Sequence, residues 1–181
     1  MRRSVIVIGI GNRLRGDDAT GATVVHQLAD LERHQGIDVA IHAGDGAGLI
    51  DRWDGADAVV LVDSVRSGAP VGTIVRVDAS STPVQVPLGG TSSHALGVAG
   101  AIELARALGR LPRTTVVYGI EGAAYEAGSR LSDGVGRAVE AAAEAVRREA
   151  LALVAQEAPS AIAACAAATR AIGSRNGEQL T

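Results

Sequence analysis

The sequence has 181 residues, of which 47% are hydrophobic, and a net charge of −3 from 17 Lys plus Arg against 20 Asp plus Glu. This length suits one domain, and the absence of a basic stripe interleaved with aromatic residues argues against a nucleic acid partner. The single cysteine, Cys165, cannot form an internal disulfide and favours a cytoplasmic protein, and no apolar run is long enough to cross a membrane.

Strands and helices alternate in the first part of the chain. The β-branched run VIVIGI, from Val5 to Ile10, predicts a strand that is covered on both faces. Apolar residues at helical spacing predict a first helix from about Ala19 to Arg33. The segment IDVAIH predicts a second strand, GAGLIDRW a short helix, and ADAVVLVDSV a third buried strand that ends at Asp63.

The second part begins with an edge strand. The alternating segment GTIVRVDA suits a half-exposed strand at the edge of a sheet, and a long Pro/Gly/Ser-rich loop, SSTPVQVPLGGTSS, follows it. The segment HALGVAGAIELARALG predicts a mostly buried helix, TTVVYGIEG a buried strand ending at Glu121, and the run from SDGVGRAV onward a long final helix.

These elements predict an α/β fold. Strands that alternate with helices give a three-layer α/β/α sandwich with a mainly parallel twisted sheet of about five strands, one edge strand of which can be antiparallel. We expect the domain to occupy residues 1–155. Residues 156–181, an Ala-rich and then polar C-terminal extension, are expected to be weakly ordered and to have no role in the domain.

Polar residues gather where the predicted strands end. In parallel sheets ligands bind at the carboxyl ends of the strands, where the strand order reverses. The candidate residues at these ends, with the histidine that opens the helix after the long loop, are Asn12, Asp17, Asp18, Asp45, Asp63, His94 and Glu121.

Structural roles compete with a site at several of these positions. Asp17 is expected to cap the first helix, which leaves Asp18 without such an explanation. Asp63 can be a turn residue at a strand end and His94 a residue of a helical first turn. Three other histidines are interpreted as surface or structural residues: His26, His34 and His42.

Asp18, Asp63 and His94 together form a set of oxygen and nitrogen ligands. This set suits a divalent ion with open coordination positions, such as nickel or zinc; without a metal, the two carboxylates could share a proton and activate water. Either route leads to hydrolysis. A dinucleotide site is disfavoured, because the third glycine of its motif would fall at Leu14 and the adjacent acids would repel a pyrophosphate.

Four segments in this order resemble a known family: GIGNRLRGDDATG, VVLVDSV, SSHALGV and VVYGIEGAAYEAGSRLSDGV. They are similar to the hydrogenase maturation endopeptidases, which trim the C-terminal extension of the large subunit of nickel-iron hydrogenases. The resemblance runs from about Ser4 to Arg148. It implies an aspartyl-type, metal-engaging protease that acts on a large-subunit precursor and uses the nickel in that precursor as its recognition signal.

The resemblance also implies roles for individual residues. Asp18, Asp63 and His94 match the side chains that engage the precursor's nickel, and Gly44 and Asp45 match a turn that contributes to substrate recognition. Ala19 departs from the Gly found in many relatives. Glu121 matches a recurring motif of the family near the site; positioning a loop is its simpler interpretation, and a role in the site stays open.

Two other classes of function remain open from the sequence. One is a non-catalytic maturation factor that binds the precursor or delivers metal to it, and the other is a nucleotide-binding protein with a Rossmann-like sheet. We expect a monomer whose partner is the hydrogenase precursor.

Overall fold

The computed structural model describes residues 3–81 and 97–156 and contains one five-stranded sheet with helices on both faces. The strands are β1 (Val5–Ile10), β2 (Ile37–His42), β3 (Ala58–Val65), β4 (Ile74–Asp78) and β5 (Thr114–Glu121). The α-helices are α1 (Thr20–His26), α2 (Gly46–Arg52), α3 (Val98–Ala107) and α4 (Asp133–Ala155), and 3-10 helices occupy Gly16–Ala19 and Ala29–Arg33.

The order in which the strands lie in the sheet, β2-β1-β3-β5-β4, reverses beside β1. The chain passes from β1 to β2 on one side and then crosses to β3 on the other, so that the switch point lies between β1 and β3. Pairing of β1 with β3 ends at Gly9 and Val62, whereas pairing of β3 with β5 continues to Val65 and Glu121. The last residues of β3 therefore lie past the part that pairs with β1, and Asp63 is the first of them.

Two apolar clusters cover the two faces of the sheet. One joins side chains of β1, β3 and β5 to α1 and α4, including Val7, Val25 and Val146. The other joins the opposite face of these strands to α2 and α3, including Ile8, Leu49 and Ile102. This arrangement confirms the predicted three-layer fold, and antiparallel pairing of β4 with β5 confirms the predicted edge strand.

Helix α1 approaches the sheet closely at Gly21. A Cβ at this position would lie 2.3 Å from the carbonyl oxygen of Val62 and 2.4 Å from that of Ile10. Since these residues belong to β3 and β1, the start of α1 rests directly on the switch point. This contact fixes the turn between β1 and α1 above the same point.

Two predicted boundaries are wrong. The expected helix from Ala19 to Arg33 is divided, because i to i−3 hydrogen bonds from Gln27 and Leu28 end α1 and a 3-10 helix follows. In a 3-10 turn residues three apart lie on one side, and Leu28 and Leu31 are both fully buried in this way. The third strand continues past Asp63 to Val65 because it still pairs with β5 there.

The predicted C-terminal division falls close to the end of α4 at Ala155. Residues 157–181 lie outside the described residues, so the expected extension stays a prediction. In the part of the chain that is described, no helix combines the length and the apolar character that crossing a membrane would require.

Candidate functional site

The turn after β1 holds Asp18 at the switch point. Gly11 has a φ of +123°, and a Cβ there would lie 1.9 Å from the carbonyl oxygen of Asp18. The Asn12 amide donates a hydrogen bond to Asp18 Oδ2 at 3.1 Å, and the Asp18 amide donates to the Arg15 carbonyl at 3.1 Å. The turn thus folds back on itself and leaves Asp18 half-buried. Because the Asn12 amide already donates to the Asp18 carboxylate, it is not free to bind a phosphate, and this turn is poorly suited to a phosphate site.

Asp63 is the second acid at the switch point, and only 5% of its surface is exposed. Its Oδ1 accepts a hydrogen bond from the Ser64 amide at 2.8 Å, and no basic side chain in residues 3–81 and 97–156 forms an ion pair with it. Burial, with a smaller contribution from the negative charge of Asp18, raises the pKa of Asp63 to about 7 against the lowering effect of the Ser64 amide. The two carboxylates are therefore close enough to influence each other.

Asp17 does not cap the first helix, contrary to the expectation from the sequence. It is fully buried, and its carboxylate accepts hydrogen bonds from three backbone amides, those of Ala123, Ala124 and Ser132, at 2.7 to 2.9 Å. Burial acts to raise its pKa, but these amides outweigh it, and the pKa lies below the ordinary value. Asp17 therefore ties the turn after β1 to the loop after β5.

Glu121, at the end of β5, positions a loop, as the sequence interpretation expected. Its carboxylate accepts hydrogen bonds from the Ser67 amide and hydroxyl and from the Gly68 amide, at 2.7 to 3.0 Å. Burial acts to raise the pKa of Glu121, but these donors hold it below the ordinary value. The charge of Glu121 is thus fully engaged in holding the loop that follows β3.

Gly44 and Asp45 lie between β2 and α2. Gly44 has a φ of +92°, and its amide donates to His42 Nδ1 at 3.0 Å. Asp45 caps α2 by accepting a hydrogen bond from the Gly48 amide at 2.8 Å, and its Oδ2 lies 3.5 Å from His42 Nε2. These contacts give His42 the structural role that was expected, while the predicted contact of Gly44 and Asp45 with substrate stays a prediction.

The third predicted ligand, His94, lies outside the described residues. His26 and His34 are exposed, as expected, and within residues 3–81 and 97–156 no group of three potential ligands could hold a metal. Asp18 and Asp63 nevertheless suit a cation, because Asp63 is buried without a positive partner and cations favour the ionised form of such a carboxylate. The described site is therefore a pair of acids at the switch point between β1 and β3.

Comparison with known proteins identifies a family with a similar sequence and fold. A family model described as HycI, hydrogenase maturation protease, matches residues 23–149, a range that includes Asp63 and begins after Asp18. A hydrogenase expression/formation protein HupD from Thiocapsa roseopersicina is 31% identical over 121 residues, which are 65% of this chain and 53% of that protein. The chain thus spans about half the length of this curated relative.

Two solved structures are similar to this protein. The [NiFe] hydrogenase maturation protease HybD from Thermococcus kodakarensis has a TM-score of 0.60 and 25% identity, covering 83% of this chain and 99% of its own. The hydrogenase maturating endopeptidase HybD from E. coli has a TM-score of 0.66 and 24% identity, covering 82% and 91%, and supports the fold alone. Since the family model matches more than half of the sequence, the chain belongs to the hydrogenase maturation protease family.

Proposed function

We propose that this protein is an endopeptidase that removes the C-terminal extension of a nickel-iron hydrogenase large-subunit precursor after nickel insertion. Family membership supports the class of reaction. The observation that carries the proposal is the pair of carboxylates at the switch point, one of them buried without a counter-charge. Such a pair is suited to binding a positively charged group of the substrate.

In this proposal the precursor's nickel is the recognition signal, and Asp18, Asp63 and His94 engage it. Asp63, with a pKa of about 7, is partly protonated at neutral pH and would release its proton when a cation approaches. A precursor without nickel offers no such compensation for the buried charge. His94 completes the set by resemblance to the family.

The acids differ in their surroundings, and this supports different roles. Asp18 is half-buried and could orient the attacking water, whereas Asp63 is almost fully buried and suits contact with the metal. The precursor's nickel can supply Lewis acidity at the scissile carbonyl. We further propose that Gly44 and Asp45 contact the substrate, and that a monomer acts in the cytoplasm.

The test is incubation of the protein with nickel-loaded and nickel-free precursor, followed by mass measurement of the large subunit. We expect shortening of the nickel-loaded precursor only, and loss of shortening in Asp18→Asn and in Asp63→Asn. Asp51→Asn is the matched control, since Asp51 is an exposed acid on α2 that pairs with Arg110. This control should cut normally.

Two other results of this experiment would argue against the proposed protease. Cleavage that ignores nickel or survives both substitutions would contradict the proposed mechanism. Tight binding of the precursor without shortening would instead identify a non-catalytic maturation factor.

A further inference from the structure

Two arginines contact the same tyrosine beside the candidate site. The guanidinium carbon of Arg66 lies 4.0 Å from the centre of the Tyr125 ring, and Arg15 Nε donates to the Tyr125 carbonyl at 3.4 Å. Tyr125 itself is 6% exposed, and its hydroxyl donates to the Val65 carbonyl at 3.2 Å. One buried, hydrogen-bonded residue therefore contacts both guanidinium groups, one through its ring and the other through its backbone carbonyl.

These arginines have no acidic partner in the described part of the chain. Arg52, Arg76 and Arg147, by contrast, each pair with a carboxylate at 4.0 Å or less. Arg66 is exposed and Arg15 is half-buried. Guanidinium groups bind carboxylates with paired, charge-assisted hydrogen bonds. The unused donors of Arg15 and Arg66 are thus available to a carboxylate that arrives from outside.

Both arginines are close to the acid pair along the chain. The carbonyl of Arg15 accepts the Asp18 amide, and Arg66 follows Asp63 by three residues at the end of β3. Neither arginine forms an ion pair with Asp18 or Asp63 among the described residues. The turn after β1 and the end of β3 thus each carry one acid of the pair and one arginine without an acidic partner among the described residues.

We propose that Arg15 and Arg66, held by Tyr125, bind acidic side chains of the precursor's C-terminal extension. This inference rests on the proposed function, since it assigns a partner to the rim of the same site. A substrate that presents a cation to Asp18 and Asp63 and carboxylates to the two arginines would match both charges. The arginines select and position the extension and take no part in the chemical step.

The test compares the protein with the double variant Arg15→Gln/Arg66→Gln, using one precursor with its own extension and one whose extension acids are changed to Asn and Gln. Affinity for each precursor is measured by calorimetry, and KM and kcat are measured by cleavage. Arg113→Gln is the matched control, because Arg113 is exposed, has no acidic partner among the described residues, and precedes β5 at the opposite end of the sheet.

We expect the double variant to bind the acidic precursor roughly tenfold more weakly, since each exposed pair contributes up to about fivefold. KM should rise with little change in kcat, and the salt dependence of binding should weaken. The double variant and the unmodified protein should bind the neutralised precursor equally, and Arg113→Gln should behave as the unmodified protein does.

Equal affinity of the double variant and the unmodified protein for the acidic precursor would overturn the inference, as would an equal loss with both precursors. Arginine-dependent binding without cleavage would support the inference and reject the proposed protease. Cleavage of a precursor whose binding does not depend on the arginines would support the proposed protease and reject the inference. If the folded protein neither binds nor cuts the precursor, both proposals are wrong.

Discussion

Asp63 is a buried acid whose ionisation lowers the stability of the folded protein. A carboxylate that is 5% exposed and receives one backbone hydrogen bond is costly to ionise, and its pKa of about 7 expresses that cost. An uncharged residue of the same size would avoid it. The sequence retains an acid here, which is consistent with a cationic group that arrives later.

The substitution Asp63→Asn is therefore expected to stabilise the isolated protein at alkaline pH. The folded-state pKa lies above the ordinary 3.8, so the contribution of Asp63 to stability is fully present below 3.8 and is lost as the pH rises through about 7. At about pH 8 the variant should unfold with a free energy higher by up to about 4 kcal/mol, and the gain should shrink towards about pH 4. Urea unfolding at both pH values, with a metal chelator present, measures this. A gain that does not depend on pH would show that ionisation of Asp63 is not its cause.

Asp17 marks the limit of prediction from local sequence. Its position before a helix indicated a cap, but its three donors lie more than one hundred residues further along the chain, at Ala123, Ala124 and Ser132. Spacing within a segment carries no information on such contacts. Asp18 and Asp63 could be singled out because strand ends of a parallel sheet meet at one edge, a property of the topology.

At the scale of elements, Glu121 joins the end of β5 to the loop after β3. We expect Glu121→Gln to accelerate hydrogen exchange at the Ser67 and Gly68 amides by about tenfold, since a neutral amide accepts more weakly than a carboxylate. The Gly72 amide is an internal control, because it donates to the backbone carbonyl of residue 121, which the substitution retains. Unchanged exchange at Ser67 and Gly68 would contradict the assigned role.

The contact of α1 with the sheet gives a second test at this scale. Gly21→Ala should lower the free energy of unfolding by about 3 kcal/mol or more, because its Cβ would clash with the carbonyls of Val62 and Ile10. Gly136→Ala is the matched control, since α4 leaves open space around that position, and it should raise stability by about 0.5 to 1 kcal/mol. Chemical denaturation of both variants measures the difference. A mild effect of Gly21→Ala would mean that α1 can move away from the switch point.

Strand positions were predictable because the sequences of buried parallel strands are continuous apolar runs, as in β1 and β3. The break after α1 was not predictable, because Leu28 and Leu31 fit an α-helical pattern and a 3-10 pattern equally well. The choice between the two depends on packing against the core.

At the scale of the whole molecule, the two ends of the described domain are in contact, since Arg3 contacts Gln156. Leu153 of α4 is buried, and Arg3 donates to the side chain of Gln156 at 2.7 Å. A chain that ends at Gln156 should therefore keep a thermal midpoint within about 2 °C of the full-length protein. A calorimetric midpoint lower by about 5 °C or more would show that residues 157–181 contribute to the domain.

In the proposed function, Asp18 and Asp63 contact the nickel that the precursor carries. Nickel-edge X-ray absorption of the precursor, alone and in complex with this protein, measures that contact directly. We expect additional oxygen or nitrogen neighbours of nickel in the complex, and their loss with the Asp18→Asn/Asp63→Asn variant. A nickel coordination shell that is the same in the free precursor and in the complex would contradict the claim.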